Sequence, residues 1–442
     1  MNQHFKTIRS WFLVGLFLSV VFPTSVAFAE PSLNWVEIFG GQMDDEAYSI
    51  AVGNDGYIIA GITNSSGFGQ YDAWLIKTDF SGSVEWNRTY GDFSYDVAHS
   101  VVVTADGGYA FAGSTAPIGY NNSDFWLVKV DSLGNLEWTQ TYDYQNFESC
   151  MSLISTTDGG FALLGFTSSL DSTRPFGYGD SDVWLVKVDS LGNVEWNQTY
   201  GGSGGDSVSE IIQTSDGGYA LGCSTTSFGA KNTDFWLIKV DSLGQPEWNQ
   251  TYGGTDHEFA NSLMVTSDGG YALAGSTGSF DLENVVVDVW LVKLDSSGNL
   301  EWDQTYGGSL ADYCESMIIS NNGGYALACV SQPPVRSLTP PYGDGTFWLI
   351  ETDLTGNLIS NQTFGVSAHH SHTSILKTDE NSYIFLGSTR DNMGFRDFWV
   401  AKINGDNQEL NEFLIPILLV IAVIVFVWFL VRKKPRFSNK QQ

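Results

Sequence analysis

The sequence predicts an all-β fold: a seven-bladed β-propeller over residues 33–403, closed by its own N-terminal strand and followed by a C-terminal transmembrane helix. Three observations carry this. A unit of about 50 residues recurs seven times, a period typical of propellers and solenoids. The composition is turn-rich and aromatic, with 48 Gly and 14% Phe, Trp and Tyr, which suits short strands and tight turns better than a helical bundle or a disordered acidic chain. The repeat is also out of phase with its own ends, which decides between an open stack and a ring.

The repeats align on the Trp of D-x-W-L-V-K-V-D, at Trp74, Trp126, Trp184, Trp236, Trp290, Trp348 and Trp399. Each unit reads as four strands. Strand A runs from an acid to T-x-D-G-G, as in Asp96 to Gly108. Strand B is Y-A-L-A-G-S-T, as at Tyr109 to Thr115, and strand C is D-F-W-L-V-K-V-D, as at Asp124 to Asp131. Strand D is N-x-E-W-N-Q-T-Y-G, as at Asn193 to Gly201. In the C–D joint D-S-L-G-N, Gly134 falls where a type I turn with a bulge needs a left-handed residue. The last unit ends after strand C and has no strand D, whereas a lone strand D, Leu33 to Gly40, precedes the first. A ring uses the spare strand to complete blade seven and removes a sheet edge; a solenoid leaves two edges exposed.

Reflection about the C–D turn sets Lys77 opposite Glu85, and likewise Lys129 and Glu137, Lys187 and Glu195, Lys239 and Glu247, and Lys293 and Glu301. In unit six Glu351 replaces the Lys and Ile359 its partner, while Lys402 of unit seven faces Asn34 of the closing strand. These are expected as structural cross-strand contacts.

The two ends read as targeting segments. Residues 1–29 have a signal-peptide pattern: Lys6 and Arg9, an apolar run from Trp11 to Phe22, and Ala27-Phe28-Ala29 as a small-x-small cleavage site. After a linker at 404–412, residues 413–431 are uncharged and apolar, about 28 Å long as a helix. The basic tail 432–442, with Arg432, Lys433, Lys434 and Arg436, belongs in the cytoplasm by the positive-inside rule, which places the propeller outside a cell membrane crossed once.

The chain has 20 Lys+Arg against 50 Asp+Glu. Seven of the basic residues lie in the leader and tail, and every acid lies between Glu30 and Glu412. So negative a surface excludes nucleic acid as a partner, since phosphate binding needs a basic footprint, and it attracts divalent cations and basic partners. No P-loop, G-x-S-x-G, H-E-x-x-H or paired C-x-x-C is present.

The D-G-G-Y-A-L-A-G-S-T and W-L-V-K-V-D-S-L-G-N-x-E-W runs resemble the tandem propeller repeats of prokaryotic cell-surface proteins. The order leader, propeller, anchor and basic tail is similar to that of archaeal members. The resemblance covers nearly the whole external part and implies a propeller, not a chemistry. The D-x-x-G-x-x-x-W turn also resembles the Trp-docking motif of quinoprotein propellers. It is one residue shorter, so no cofactor carries over.

In this strand order the D–A and B–C connections share one face, where lengths vary and binding is expected. The longest B–C loops, Ser168 to Ser181 and Ser331 to Gly345, carry Arg174, Phe176, Tyr178, Arg336 and Tyr342, an aromatic and Arg set suited to recognition. Lys231, Arg390 and Arg396 fall in other B–C loops. Strand A opens on Asp45, Asp96, Glu148, Asp206, Glu258 and Asp312, with His370 at the seventh place. Seven such positions on innermost strands read as a ring at the channel mouth able to hold a cation such as Ca²⁺, or as acids capping the D–A turns. His370 and His372 alternate on one strand and offer two imidazoles to Zn²⁺ or Cu²⁺.

Cys150 and Cys314 hold equivalent A-strand places, and Cys223 and Cys329 equivalent B-strand places. They read either as small apolar residues or as disulfide partners in one of three full pairings. N-x-S/T glycosylation sequons occur at Asn64, Asn87, Asn121, Asn197, Asn249 and Asn361.

The expected function is a membrane-anchored extracellular module that binds a protein or glycan and has no catalytic residue. A structural component of the cell envelope and a glycan-active or quinone-dependent enzyme are the alternatives.

Overall fold

The computed structural model describes residues 33–404 except 69, 94, 117–121, 145–146, 169–180, 230–231, 281–286, 333–344, 379–381 and 391–392, and excluding the side chains of 365–372. The chain forms a seven-bladed β-propeller of antiparallel four-stranded blades. Blade 1 consists of Asp45–Val52 (A), Gly56–Thr63 (B), Asp72–Asp79 (C) and Val84–Tyr90 (D), and blades 2 to 5 repeat this order. Blades 6 and 7 share the 20-residue strand Leu358–Lys377, which serves as D of one and A of the next. Here T-F-G-V stands where Gly-Gly follows strand D at 40–41, 201–202, 253–254 and 307–308.

The ring closes as the repeat phase requires. Leu33–Phe39 pairs antiparallel with Arg396–Asn404, setting Ile38 opposite Trp399. The junction between blades 7 and 1 has a core like the others: Trp74 packs on Phe398 at 4.8 Å, beside Ile59, Leu386 and Val400. Equivalent ring contacts join Phe125 to Trp184 at 4.4 Å and Phe235 to Trp290 at 4.7 Å. Strands B and C are buried almost throughout, whereas strand D of the same blade has only exposed and half-buried residues, which makes it the outermost.

Neighbouring blades are tied at both ends of the radius. On the innermost strands, Ser49 accepts from the Val101 N–H, Ser100 from Leu153 and Ser152 from Ile211, at 3.1–3.3 Å. At the rim, the strand-D tyrosines Tyr90, Tyr142, Tyr200, Tyr252 and Tyr306 donate to the turn carbonyls of Gly134, Gly192, Gly244, Gly298 and Gly356 in the next blade, at 2.6–2.8 Å. Each of these glycines has a positive φ and lies under the strand-D Trp of the preceding blade. A Cβ on Gly244 would sit 2.6 Å from the Trp196 ring. Gly82 lies in the same way under Trp35 of the closing strand.

The expected Lys–Glu pairs form, but in a different register. A bulge after each Lys sets Lys77 opposite Trp86 and Lys187 opposite Trp196, and Lys402 opposite Trp35 rather than Asn34. Lys77 Nζ still reaches Glu85 at 2.7 Å, and it also reaches Asp55 of the A–B turn at 2.9 Å. The same three-strand clamp recurs around Lys129, Lys187, Lys239 and Lys293. In blade 6 Glu351 lies opposite Ser360, not Ile359, and accepts hydrogen bonds from Ser360 and from Tyr383 of blade 7.

No helix among the described residues is long and apolar enough to cross a membrane. The leader, the apolar stretch 413–431 and the basic tail lie outside the described residues.

Candidate functional site

The antiparallel order places the A–B and C–D turns on one face and the B–C and D–A loops on the other. Arg174, Phe176, Tyr178, Arg336 and Tyr342 all lie outside the described residues, as do Asn121 and Lys231.

The strand-A acids are fixed by the turns that precede them. The N–H groups of Gly41, Asp92, Gly202 and Gly254 donate to Asp45, Asp96, Asp206 and Glu258, four residues on, at 2.8–3.2 Å. Hydroxyls from the end of strand B or the loop after it add to this: Ser65 to Asp45, Thr167 to Glu148, Thr225 to Asp206 and Thr277 to Glu258. All six acids are at most 3% exposed. All six are therefore buried at the blade junctions rather than standing open to solvent, and Asp45, Asp96, Asp206 and Glu258 cap the turns before them.

The seventh place also differs from expectation. Asp45, Asp96 and Glu148 each face a strand-B Thr, whereas in blade 7 Thr389 faces Ala368, two residues before His370. Four residues separate the paired His369 and Ser374, so the spacing of the other blades, counted back from Ser374, stops two residues short at His370. The side chains of His370 and His372 are outside the described set.

Each junction acid also meets the Asp that opens strand C of the preceding blade, with the glycine after strand D between them. A Cβ on Gly91 would lie 2.4 Å from Asp96 Oδ2 and 2.9 Å from Asp72 Oδ1; Gly201 and Gly253 are wedged in the same way. Burial, then the charge of Asp96, pushes the Asp72 carboxyl up to about 6. Burial, then Asp288, likewise pushes Asp312 up to about 6. Between blades 2 and 3 this glycine is replaced by Asp143. Asp124, Asp143 and Glu148 then place one carboxylate oxygen each within 4.8 Å of the others, a set of hard oxygen ligands of the kind Ca²⁺ takes. Burial, then Asp143 and Glu148, raises the Asp124 pKa.

Sequence reasoning missed a cluster where blades 7, 1 and 2 meet. Phe68 and Phe93, 69% and 66% exposed, approach edge to face at 6.4 Å. Tyr71 and Tyr95 stand 5.2 Å apart and join blade 1 to blade 2 through a parallel bridge. Beside them Arg396 pairs with Glu46, and its backbone N–H donates to Asp44 at 3.0 Å. Tyr48 packs on His99 at 4.9 Å and lies 3.4 Å from Glu46; burial, then Glu46, pushes its hydroxyl well above the usual range, so it stays a donor. Tyr144, Phe147, Phe228, Phe259 and Phe280 extend the exposed aromatic belt around the same loop face. Phe228 and Phe280 hold equivalent places, as do Tyr95 and Phe147, but Tyr71 and Phe93 have no aromatic counterpart at the same offset in the other repeats, so an alignment on the repeat does not reveal the cluster. Only Arg396 stood out in the sequence.

On strand D, Asn87, Asn197 and Asn249 are exposed and Asn361 is half-buried, as is Asn64 in its loop. Asn197 and Asn249 accept from the Nε1–H groups of Trp184 and Trp236 through Oδ1, not through the nitrogen that carries a glycan.

The architecture defines a class, the seven-bladed β-propellers, and the comparisons with known proteins go no further. No family model matches. The regulatory protein FlaEY of Caulobacter vibrioides is 26% identical over 201 residues, which is 41% of this chain and 21% of that protein. The chain thus spans about a fifth of the curated relative it matches. Among solved structures, a polysaccharide lyase described as an ulvan lyase shares 8% identity at a TM-score of 0.49, covering 84% of this chain and 96% of the lyase. Sqt1 from Chaetomium thermophilum shares 14% at 0.46, covering 81% and 82%. Likenesses this distant carry no functional argument.

Proposed function

We propose that this protein is an extracellular, membrane-anchored binding module whose B–C/D–A face holds a glycan around Phe68, Tyr71, Phe93 and Tyr95. The observation that carries the reading is the exposure of Phe68, Phe93 and Tyr95, with Tyr95 and the half-buried Tyr71 lying near the Glu46–Arg396 pair. Large aromatic surfaces left in water on a rigid scaffold mark interaction sites. A sugar ring offers C–H faces to stack on aromatics and hydroxyls for carboxylate, guanidinium and phenol, and this group supplies all three. Ca²⁺ is the cation suited to Asp124, Asp143 and Glu148.

The test is a glycan and surface-protein screen with the full chain in detergent, with and without Ca²⁺. Phe68→Ala/Phe93→Ala is expected to lower affinity at least ten-fold and to leave the melting temperature unchanged, because both rings are mostly in solvent. A ligand bound equally well by this variant, or a protein ligand alone, overturns the glycan reading.

The apolar run 413–431 in the sequence supports anchoring. Strand Arg396–Asn404 ends on the tight-turn face, so the chain leaves from the side opposite the aromatic belt. Protease added to intact cells is then expected to cut the 331–345 loop without detergent; protection of that loop until lysis would count against the orientation.

A further inference from the structure

In blade 6, Cys314 of strand A lies directly opposite Cys329 of strand B. Directly opposed residues of an antiparallel pair project to the same side of the sheet, with Cβ atoms about 4.5–5.5 Å apart. A disulfide needs about 3.5–4.5 Å, so a small local approach suffices. Both side chains are fully buried in one core with Met317, Tyr325 and Ile350.

The other two cysteines have no such partner in register. Cys150 faces Gly165 and Cys223 faces Val208, in two different cores. Blade 6 also lacks the buried lysine of blades 1 to 5: Glu351 stands at its place, and the A–B turn carries Asn322 where Asp55 and its equivalents bind that lysine. The strand-A turn therefore lacks its ionic tie in the blade that carries the thiol pair.

We infer that Cys314 and Cys329 form a disulfide when the protein folds in an oxidising medium, and that Cys150 and Cys223 remain free thiols. With a small disulfide such as oxidised glutathione as oxidant, one cysteine thiolate attacks it, giving a mixed disulfide and releasing one glutathione. The second thiolate then displaces the other glutathione, so two thiols and one small disulfide become one protein disulfide and two small thiols. Burial raises the Cys329 thiol well above its usual range, which keeps it protonated and unreactive in the closed blade. The bond therefore forms before the core closes and afterwards resists mild reductants.

Intact-mass measurement reads this directly and does not depend on where the chain resides in the cell. The full chain is folded in detergent with oxidised glutathione, then unfolded in guanidinium with iodoacetamide. The expected product carries two alkyl groups, on Cys150 and Cys223, and yields a linked peptide pair containing 314 and 329. Cys314→Ser is expected to carry three. Reduction before folding should give four and lower the melting temperature by about 4 °C, from the closed-loop entropy and the unfolding entropy of a domain this size. Four alkylated cysteines after oxidative folding, or a bridge to Cys150 or Cys223, overturns the inference.

Discussion

Glu315→Gln is expected to stabilise the protein at pH 9 and to leave it unchanged at pH 4. Glu315 is half-buried on an innermost strand, at the bulge between Cys314 and Ser316, and burial alone pushes its carboxyl up to about 8. A carboxyl whose folded pKa lies above its unfolded value binds its proton more tightly when folded. Its contribution is complete below about 4.5 and is lost as pH rises through 8. Gln mimics the protonated form and removes the loss. The full shift corresponds to roughly 5 kcal/mol, and partial exposure reduces this to about 2–3.

Asp72 and Asp312, each raised to about 6, act in the same direction between pH 4 and 6. The opposite limb belongs to Asp106 and Asp216. Hydrogen bonds from Thr104 and Thr214, and then the buried Lys129 and Lys239, hold them at about 2, so their contribution fades as pH falls from 4 to 2. Wild-type stability should therefore peak near pH 4 and fall by several kcal/mol toward pH 9. Melting temperatures across pH 3–9 for both proteins decide it. A wild-type curve that rises to pH 8, or parallel curves for the two, removes the argument.

What the sequence reveals follows from which forces act locally. Blade count, strand order and closure are legible because each repeat must bury the same two strands and turn at the same glycines. Gly134 and Gly244 recur since only a residue without a Cβ fits under the neighbouring Trp at positive φ. The Lys–Glu contact was visible, but its register was not. The bulge that sets Lys77 opposite Trp86 adds one residue without leaving a mark of its own, and the third member, Asp55, comes from a turn two strands away. The acids were legible as a set but not in their surroundings: burial against the next Asp and a wedged glycine is a property of two blades meeting. The aromatic group at Phe68, Tyr71, Phe93 and Tyr95 joins the B–C loop of one repeat to the D–A loop of the next, and loops are where repeats diverge.

Deleting residues 33–40 is expected to abolish the cooperative monomeric melt. The closing strand completes the sheet of Arg396–Asn404 and lays Trp35 over Gly82, as Trp86 lies over Gly134 at an internal junction. Without it, blade 7 presents an open edge of unpaired N–H and C=O groups, and the core of Trp74, Phe398 and Val400 loses its cover of Trp35 and Phe39. Loss of two half-buried aromatics alone costs on the order of 5 kcal/mol, a large share of the stability of a domain. The exposed edge should also recruit other chains, so gel filtration is expected to show oligomers. A synthetic peptide of residues 33–40 should restore the monomer and its transition.

An open stack predicts something different: a terminal strand frays with little effect on the other six units. The milder Trp35→Ala separates the two without removing backbone. In a ring, Trp35 is one of six equivalent Trp-over-Gly rim contacts, and its loss should match that of Trp86→Ala within about 1 kcal/mol. In an open stack Trp35→Ala is close to silent and only Trp86→Ala is felt.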